Sequence, residues 1–160
     1  MTMIIILLVL LALLIVSVVL SRYFIKQYDK HCEIVEKNAD KYADLNIMYF
    51  QWIKVHQNGK SIADYFHKNG LSRVAVYGLN EIGYSCLDEL ERNGISVDYC
   101  IDRNADNIFS RVKVYNPNNE LPHVDAVLVA VPQYFDTIYT QMSEKMKCPI
   151  VSLADVVWEV

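Results

Sequence analysis

Residues 73–83 read RVAVYGLNEIG, and this stretch decides the fold. Residues 74–77 are β-branched, small or aromatic, which predicts a short strand that ends at Gly78. Gly78 and Gly83 have the spacing of the outer glycines of G-x-G-x-x-G, with Asn80 in the middle position. In that motif the first glycine makes a tight turn, the second lets the backbone approach a pyrophosphate, and the third allows close helix–strand packing. The stretch therefore predicts a strand, a turn and a helix, with the middle glycine replaced.

The chain beyond residue 72 alternates between short apolar runs and helical periods. Strands are predicted at residues 73–78, 96–102, 111–115, 124–131 and 149–153, and helices at 81–92, 134–147 and 154–160. The run 111–115 is the shortest of the apolar ones and is expected at the periphery. Such alternation is typical of a parallel sheet with right-handed crossovers. We therefore expect an α/β fold, a small Rossmann-like parallel sheet of about four strands plus a short peripheral one.

This context supports a phosphate-binding motif, because the turn follows a buried strand and precedes a helix. Asp102 ends the next strand about 20 residues later, where an acid accepts the hydroxyls of a ribose, and Arg103 beside it could meet a phosphate. The loop after the strand 124–131 would form the third edge of the same pocket. The predicted binding residues are Gly78, Leu79, Asn80, Glu81, Ile82, Gly83, Asp102, Arg103, Pro132 and Gln133, with Tyr134 ending the loop.

Two features of the turn oppose a bound pyrophosphate. Asn80 carries a Cβ where bare backbone is needed, and Glu81 suits the start of a helix but would repel an anion there. Asp102 would equally serve as a turn residue or a helix cap. Two interpretations stay open: a working nucleotide site, which we favour, and a Rossmann-shaped domain whose site has lapsed.

Residues 3–20 read MIIILLVLLALLIVSVVL, without a single charge. A helix of this length spans roughly 27 Å, close to the hydrocarbon thickness of a bilayer. A buried core helix is rarely apolar on every face, and a cleaved signal peptide needs preceding basic residues and small residues at a cut site. We therefore predict one uncleaved transmembrane helix. Its C-terminal side is expected in the cytoplasm, because the positive charges follow it, at Arg22, Lys26, Lys30, Lys37 and Lys41.

Residues 24–58 contain no Gly or Pro and are predicted to be helical. They carry a seam of alternating three- and four-residue spacings, as in a coiled coil, formed by Ile25, Tyr28, Cys32, Val35, Ala39, Tyr42, Asn46, Tyr49 and Ile53. A homodimeric coiled coil is one interpretation. The other, which we favour, is a helix that packs its end, residues 47–55, on the following domain. A second short helix is predicted from Ser61, its cap, to a stop at Gly70.

These boundaries divide the chain into an anchor (1–22), a helical connector (23–70) and a Rossmann-like nucleotide-binding domain (71–160). The net charge of −4 argues against nucleic acid as a partner. The four cysteines are far apart and lack metal-binding spacing, so no metal is expected. No Tyr is followed four residues later by Lys, and neither a G-x-S-x-G elbow nor a P-loop occurs, so no catalytic residue is assigned.

Residues 58–104, NGKSIADYFHKNGLSRVAVYGLNEIGYSCLDELERNGISVDYCIDRN, together with VDAVLVAV and PIVSLADV, carry a family resemblance that extends over about residues 46–157. This region resembles the Rossmann-like domains of bacterial cell-surface polysaccharide biosynthesis proteins. It is similar to the N-terminal nucleotide-sugar-binding domain of sugar O-acyltransferases. The resemblance implies NAD(P) or a nucleotide-sugar as ligand, Gly78, Asn80 and Gly83 at the phosphates, and Asp102 at the ribose. It also implies polysaccharide-assembly enzymes as partners and a bacterial cytoplasmic membrane.

Three hypotheses follow from these features. The first, which we favour, is a membrane-anchored binding module for a nucleotide cofactor or a nucleotide-sugar. The second is an enzyme or an accessory subunit of a glycosyltransferase or acyltransferase, whose catalytic half comes from a partner chain or a homodimer. The third is a non-catalytic adaptor that has kept the fold and lost the ligand.

Overall fold

The computed structural model describes residues 1–160, apart from the side chains of residues 9 and 12. It divides into two compact units, Met1–Asp44 and Leu45–Val160. One helix, α1 (Thr2–Gln57), contributes residues to both. Residues 45–70, which we assigned to the connector, therefore belong to the same compact unit as the sheet.

The first unit consists of the N-terminal part of α1. Every described side chain from residue 1 to residue 44 is exposed. The most apolar 18-residue window of the helix has a mean hydropathy of 3.6. By length and composition, α1 is able to cross a membrane.

The second unit is built on a five-stranded sheet, and all four of its strand pairings are parallel. Its strands are β1 (Arg73–Tyr77), β2 (Ser96–Ile101), β3 (Val114–Tyr115), β4 (Ala126–Val129) and β5 (Ile150–Ser152). They lie in the order β3-β2-β1-β4-β5, so that β1 is central and β3 is a two-residue edge strand. The prediction of a parallel α/β sheet with a short peripheral strand is confirmed.

Four helices complete this unit: α2 (Ala63–Lys68), α3 (Glu81–Arg92), α4 (Phe135–Ser143) and α5 (Leu153–Glu159). The helix α3 has the predicted bounds. The helix α4 is shorter than predicted at both ends. It follows a 3-10 turn over Pro132–Tyr134, and after Ser143 the chain turns so that Met146, which donates to the Met142 carbonyl, returns to the core.

Side chains of β1 alternate between two core layers, as expected of a strand buried on both faces. Val74 and Val76 pack with residues of α2, α3, α5 and the end of α1, whereas Ala75 and Tyr77 pack with residues of α4. The C-terminal end of α1 thus contributes to the core of the sheet domain. This agrees with our interpretation that residues 47–55 pack on the domain.

A buried carboxylate, Glu89 of α3, joins three helical segments. Its Oε2 accepts from Trp52 Nε1 at 2.9 Å and lies 3.0 Å from His56 Nε2. Its Oε1 accepts from Ser61 Oγ and from the backbone N–H of Ile62, both at 2.8 Å. Glu89 is only 7% exposed, so these donors replace the water that a charged group otherwise requires. Glu89 is not among the residues predicted from the sequence to have a functional or structural role.

Candidate functional site

A crevice of about 200 Å³ opens at the carboxyl ends of β1, β2 and β4. Its lining residues are Tyr77, Gly78, Asp102, Arg103, Val131, Tyr134 and Ile138. The chain runs from β1 to β2 on one side and reaches β4 on the other, so the crevice lies where the strand order reverses. Ligands of open α/β sheets bind at this kind of position.

Both outer glycines of the turn are required by close packing. Gly78 has φ +92°, donates its N–H to the Ile101 carbonyl at 2.8 Å, and would bring a Cβ to 3.0 Å from both methyl groups of Val131. A Cβ on Gly83 would overlap the carbonyl oxygen of Gly78. Gly83 therefore permits the close approach of α3 to the end of β1, which is the role of the third glycine in the motif.

Asn80, at the middle position, caps α3. Its Oδ1 accepts from the backbone N–H groups of Ile82 and Gly83, both at 3.1 Å. Its backbone is extended, with φ −93°, as is usual for an N-cap residue. The free N–H groups of a first helical turn are what an anion binds at a helix N-terminus. In this chain the side chain of Asn80 already binds two of these N–H groups.

Asp102, at the end of β2, is bonded to the glycine turn. Its Oδ2 accepts from the backbone N–H of Leu79 at 2.9 Å, and its Oδ1 accepts from that of Asn104 at 2.8 Å. A carboxylate has about four acceptor positions, so each oxygen retains capacity for a further donor. Asp102 is half-buried and lines the crevice beside the exposed Arg103.

The structure brings together only part of the predicted set. Gly78, Asp102, Arg103 and Tyr134 line the crevice. The other members of the predicted turn serve the start of α3 or the core: Leu79 is 5% exposed and packs in the core, and Asn80, Glu81, Ile82 and Gly83 form the N-terminal turn of the helix. Pro132 and Gln133 form the 3-10 turn that leads to Tyr134.

Tyr77 also lines the crevice, although it is not among the predicted binding residues. It is 3% exposed, and among the described side chains only its hydroxyl and Gln133 Oε1 are buried without a hydrogen-bond partner. Native proteins leave few buried polar atoms unpaired, and each such atom carries a desolvation penalty. A tyrosine as the last residue of a buried strand, directly before a glycine turn, is the sequence signal that could have identified this position.

The arrangement supplies binding chemistry. Asp102 can accept from hydroxyls, Arg103 can contact an anion, and Tyr77 can donate or accept within walls formed by Val131 and Ile138. Among the described residues, no group of three or more His, Cys, Asp and Glu side chains could hold a metal ion.

A comparison of the chain with known protein families, with curated proteins and with solved structures finds no match. The geometry of the crevice and the pattern of the sequence therefore carry the functional proposal.

Proposed function

We propose that this protein is a membrane-anchored, Rossmann-like module that binds a nucleotide cofactor or a nucleotide-sugar at the cytoplasmic face of a bacterial membrane. The strand order β3-β2-β1-β4-β5 follows the 3-2-1-4-5 order of doubly wound dinucleotide-binding sheets. The apolar part of α1 supports the anchor, and the basic residues after it support the orientation. The resemblance of the sheet domain supports a role beside polysaccharide-assembly enzymes.

The observation that carries the proposed ligand is that Tyr77, which lines the crevice beside Asp102, has a buried hydroxyl without a hydrogen-bond partner. An unpaired buried hydroxyl destabilises the fold by about 1–3 kcal/mol, which a ligand that hydrogen-bonds to it would recover. Tyr77 and Asp102 together match a ligand rich in hydroxyl groups, such as the ribose of a nucleotide or a sugar.

The volume of the crevice limits which part of a ligand it takes. Sites for complete small molecules are about 300–1,000 Å³, and this crevice is about 200 Å³. It therefore takes the nucleoside or the sugar portion, with hydroxyls on Asp102. The phosphates lie toward Arg103, because Asn80 already engages N–H groups of α3.

A non-catalytic adaptor with a lapsed site is the second candidate, and the Asn80 cap favours it. The side-chain oxygen of Asn80 satisfies two donors that a pyrophosphate would otherwise use. Glu81 adds a negative charge in the same helical turn. In this alternative the turn keeps its packing role and the fold presents a surface to a protein partner.

The test is a ligand screen on the full chain in lipid nanodiscs, with NAD(H), NADP(H), UDP-sugars and GDP-sugars as probes. A ligand at 100 times its dissociation constant should raise the free energy of unfolding by about 2.7 kcal/mol. Tyr77→Phe should weaken such a ligand by about 5–10-fold, the value of one hydrogen bond. Tyr139→Phe, on the half-exposed side of α4, is the matched control and should leave the affinity unchanged.

Variants of Asn80 distinguish the binding module from the adaptor. Asn80→Gly removes the capping oxygen at a loss of only a few tenths of a kcal/mol, whereas Asn80→Ser keeps a cap. If the ligand's phosphates compete with the cap, Asn80→Gly should bind more tightly than Asn80→Ser. A flat screen with the wild type and with both variants would refute the binding module and leave the adaptor.

A further inference from the structure

We propose that residues 25–42 of α1 form a parallel, in-register, two-stranded coiled coil with a second copy of this chain. The proposal uses the anchor of the proposed function in one respect, because insertion in one membrane gives both helices the same direction. It does not depend on whether the crevice binds a nucleotide.

The interaction surface is the stretch of the heptad seam that lies in the first unit. Its members occupy alternating a and d positions, and each is exposed: Ile25, Tyr28, Cys32, Val35, Ala39 and Tyr42. None of the Asp, Glu, Lys and Arg side chains between residues 22 and 44 falls at an a or d position. A stripe without charge on an otherwise highly charged helix is the pattern of a two-stranded coiled coil.

The part of the seam between residues 25 and 42 lies outside the stretch through which α1 packs on its own domain. In the second unit, the core contacts of α1 are made mainly at heptad positions g and c, by Leu45, Met48, Trp52 and Val55. One seam residue, the half-buried Tyr49, packs against the core as well. The seam positions Asn46 and Ile53 remain exposed there. Packing of residues 47–55 on the domain therefore accounts for Tyr49 and leaves the exposed seam residues from Ile25 to Tyr42 to be explained.

A polar pair and the geometry of the anchored helices favour a second copy as the occupant. In a parallel coiled coil, a g residue of one helix faces the following e residue of the other. Here g is His31 and the following e is Glu36, so a ring N–H of one helix can donate to the carboxylate of the other, and a dimer makes this pair twice, once in each direction. Small and polar residues such as Cys32 and Ala39 make the seam weak alone, but anchoring in one membrane raises the effective concentration of the two helices.

Cysteine cross-linking in membranes tests the register. In a parallel coil Cys32 faces its copy, so mild oxidation of membranes that contain the full chain should give a disulfide-linked dimer. The half-buried Cys148 is replaced by Ser beforehand. Cys86 and Cys100 are buried, and burial raises the pKa of the Cys100 thiol to about 12 and that of Cys86 well above its usual value, so neither reacts.

Position-specific variants supply the controls. In a Cys32→Ser background, Val35→Cys, at a d position, should also cross-link, whereas Lys30→Cys, at an outward f position, should do so at least about tenfold more slowly. Equal rates at both positions would mean random collision and would overturn the proposal. So would a Cys32 that reacts with a maleimide but forms no dimer.

Two adjacent apolar residues give a matched pair for the seam itself. Val35 lies on the seam and Ile34 beside it, and they are 54% and 50% exposed. Val35→Asp should reduce cross-linking through Cys32 about tenfold or more, and Ile34→Asp less than twofold, because only the first buries a charge between two helices. Equal effects would overturn the proposal. An alkaline carbonate wash of the same membranes reports the anchor separately, and the ligand screen reports the crevice.

Discussion

Replacement of Glu89 should destabilise the second unit strongly, although this residue does not line the crevice. Its four donors are Trp52, His56, Ser61 and the N–H of Ile62. In Glu89→Ala all four lose their acceptor. Three of them are buried, and an unsatisfied buried donor costs about 1–3 kcal/mol.

Water reduces the total cost of these unsatisfied donors. A groove of about 500 Å³ lies between the end of α1 and α3, and Trp52, His56 and Glu89 line it, so water can replace the carboxylate for the donors that face it. The N–H of Ile62, which is 0% exposed, is the donor that water reaches least. We therefore expect Glu89→Ala to lower the free energy of unfolding by about 2–4 kcal/mol.

Glu89→Gln distinguishes hydrogen bonding from volume. The amide oxygen can serve one pair of donors, but its NH₂ group then faces the other pair and opposes at least one donor. The expected loss is about 1–2 kcal/mol, between those of the alanine variant and the wild type. Glu120→Gln, an exposed carboxylate that undergoes the same chemical change, should stay within about 0.5 kcal/mol of the wild type.

Trp52 provides the assay, because its indole donates to Glu89. In a Trp158→Phe background it is the only tryptophan, and its fluorescence reports thermal unfolding of the full chain in a non-ionic detergent. For a unit of this size 1 kcal/mol corresponds to a Tm change of about 4 °C, so Glu89→Ala should melt about 8–16 °C lower. If Glu89→Ala melts within 2 °C of Glu120→Gln, the network is not a source of stability and the reasoning is wrong.

Three further predictions concern the sheet domain. Tyr77→Phe, without ligand, should leave stability unchanged or raise it by up to about 1 kcal/mol, whereas Tyr99→Phe, which loses its 2.7 Å bond to a carbonyl, should lower it by about 1 kcal/mol in the same melting assay. Gly83→Ala should lower stability by about 1–3 kcal/mol despite its better helix propensity, because the methyl group overlaps the Gly78 carbonyl; a variant as stable as wild type would refute the close approach. Backbone N–H groups at the start of β1 lower the pKa of Asp125, so its contribution is complete above the unfolded pKa of about 3.9 and is lost as pH falls through the lower folded value; Asp125→Asn should flatten this part of the acid-unfolding curve.

The strands and α3 were predictable because their signals are local. The residues of β1 are apolar on both faces, and Asn80 and Asn93 flank the apolar period of α3. The end of α4 was not predictable from the sequence. Helical periodicity continues to residue 147, whereas the return of Met146 to the core depends on tertiary packing. The bounds of β4 also differ, since pairing with β1 and β5 covers only Ala126–Val129 of the predicted 124–131.

The candidate site was predictable in its position and less so in its contacts. The spacing of Gly78 and Asp102 was enough to place both at one edge of a parallel sheet, and both line the crevice. Spacing carries no information about which N–H groups are already bonded, so the bond from Leu79 to Asp102 could not be foreseen. Glu89 was missed for the same reason, because its burial depends on donors 27–37 residues away in the chain.

The engagement of Asn80 with α3 has a consequence for recognition. Dinucleotide-binding folds normally bind the pyrophosphate of their ligand at a helix N-terminus. In the site proposed for this chain, that terminus is capped by Asn80 and followed by Glu81. The groups that remain for a ligand are Asp102, Arg103 and the Tyr77 hydroxyl. If the proposed function holds, the nucleoside or sugar end of the ligand should therefore contribute most of the affinity.

Ligand fragments check this conclusion on the full chain. For the best ligand of the screen, the corresponding nucleoside should retain binding within about tenfold, whereas inorganic pyrophosphate should not compete at a thousandfold excess over the dissociation constant of the complete ligand. Asn80→Gly should reverse part of this difference by freeing the N–H groups of Ile82 and Gly83. The opposite result would be that pyrophosphate competes with the complete ligand for the wild-type protein and the nucleoside does not bind. In that case the phosphates displace the Asn80 cap, and the turn works as an ordinary phosphate-binding turn.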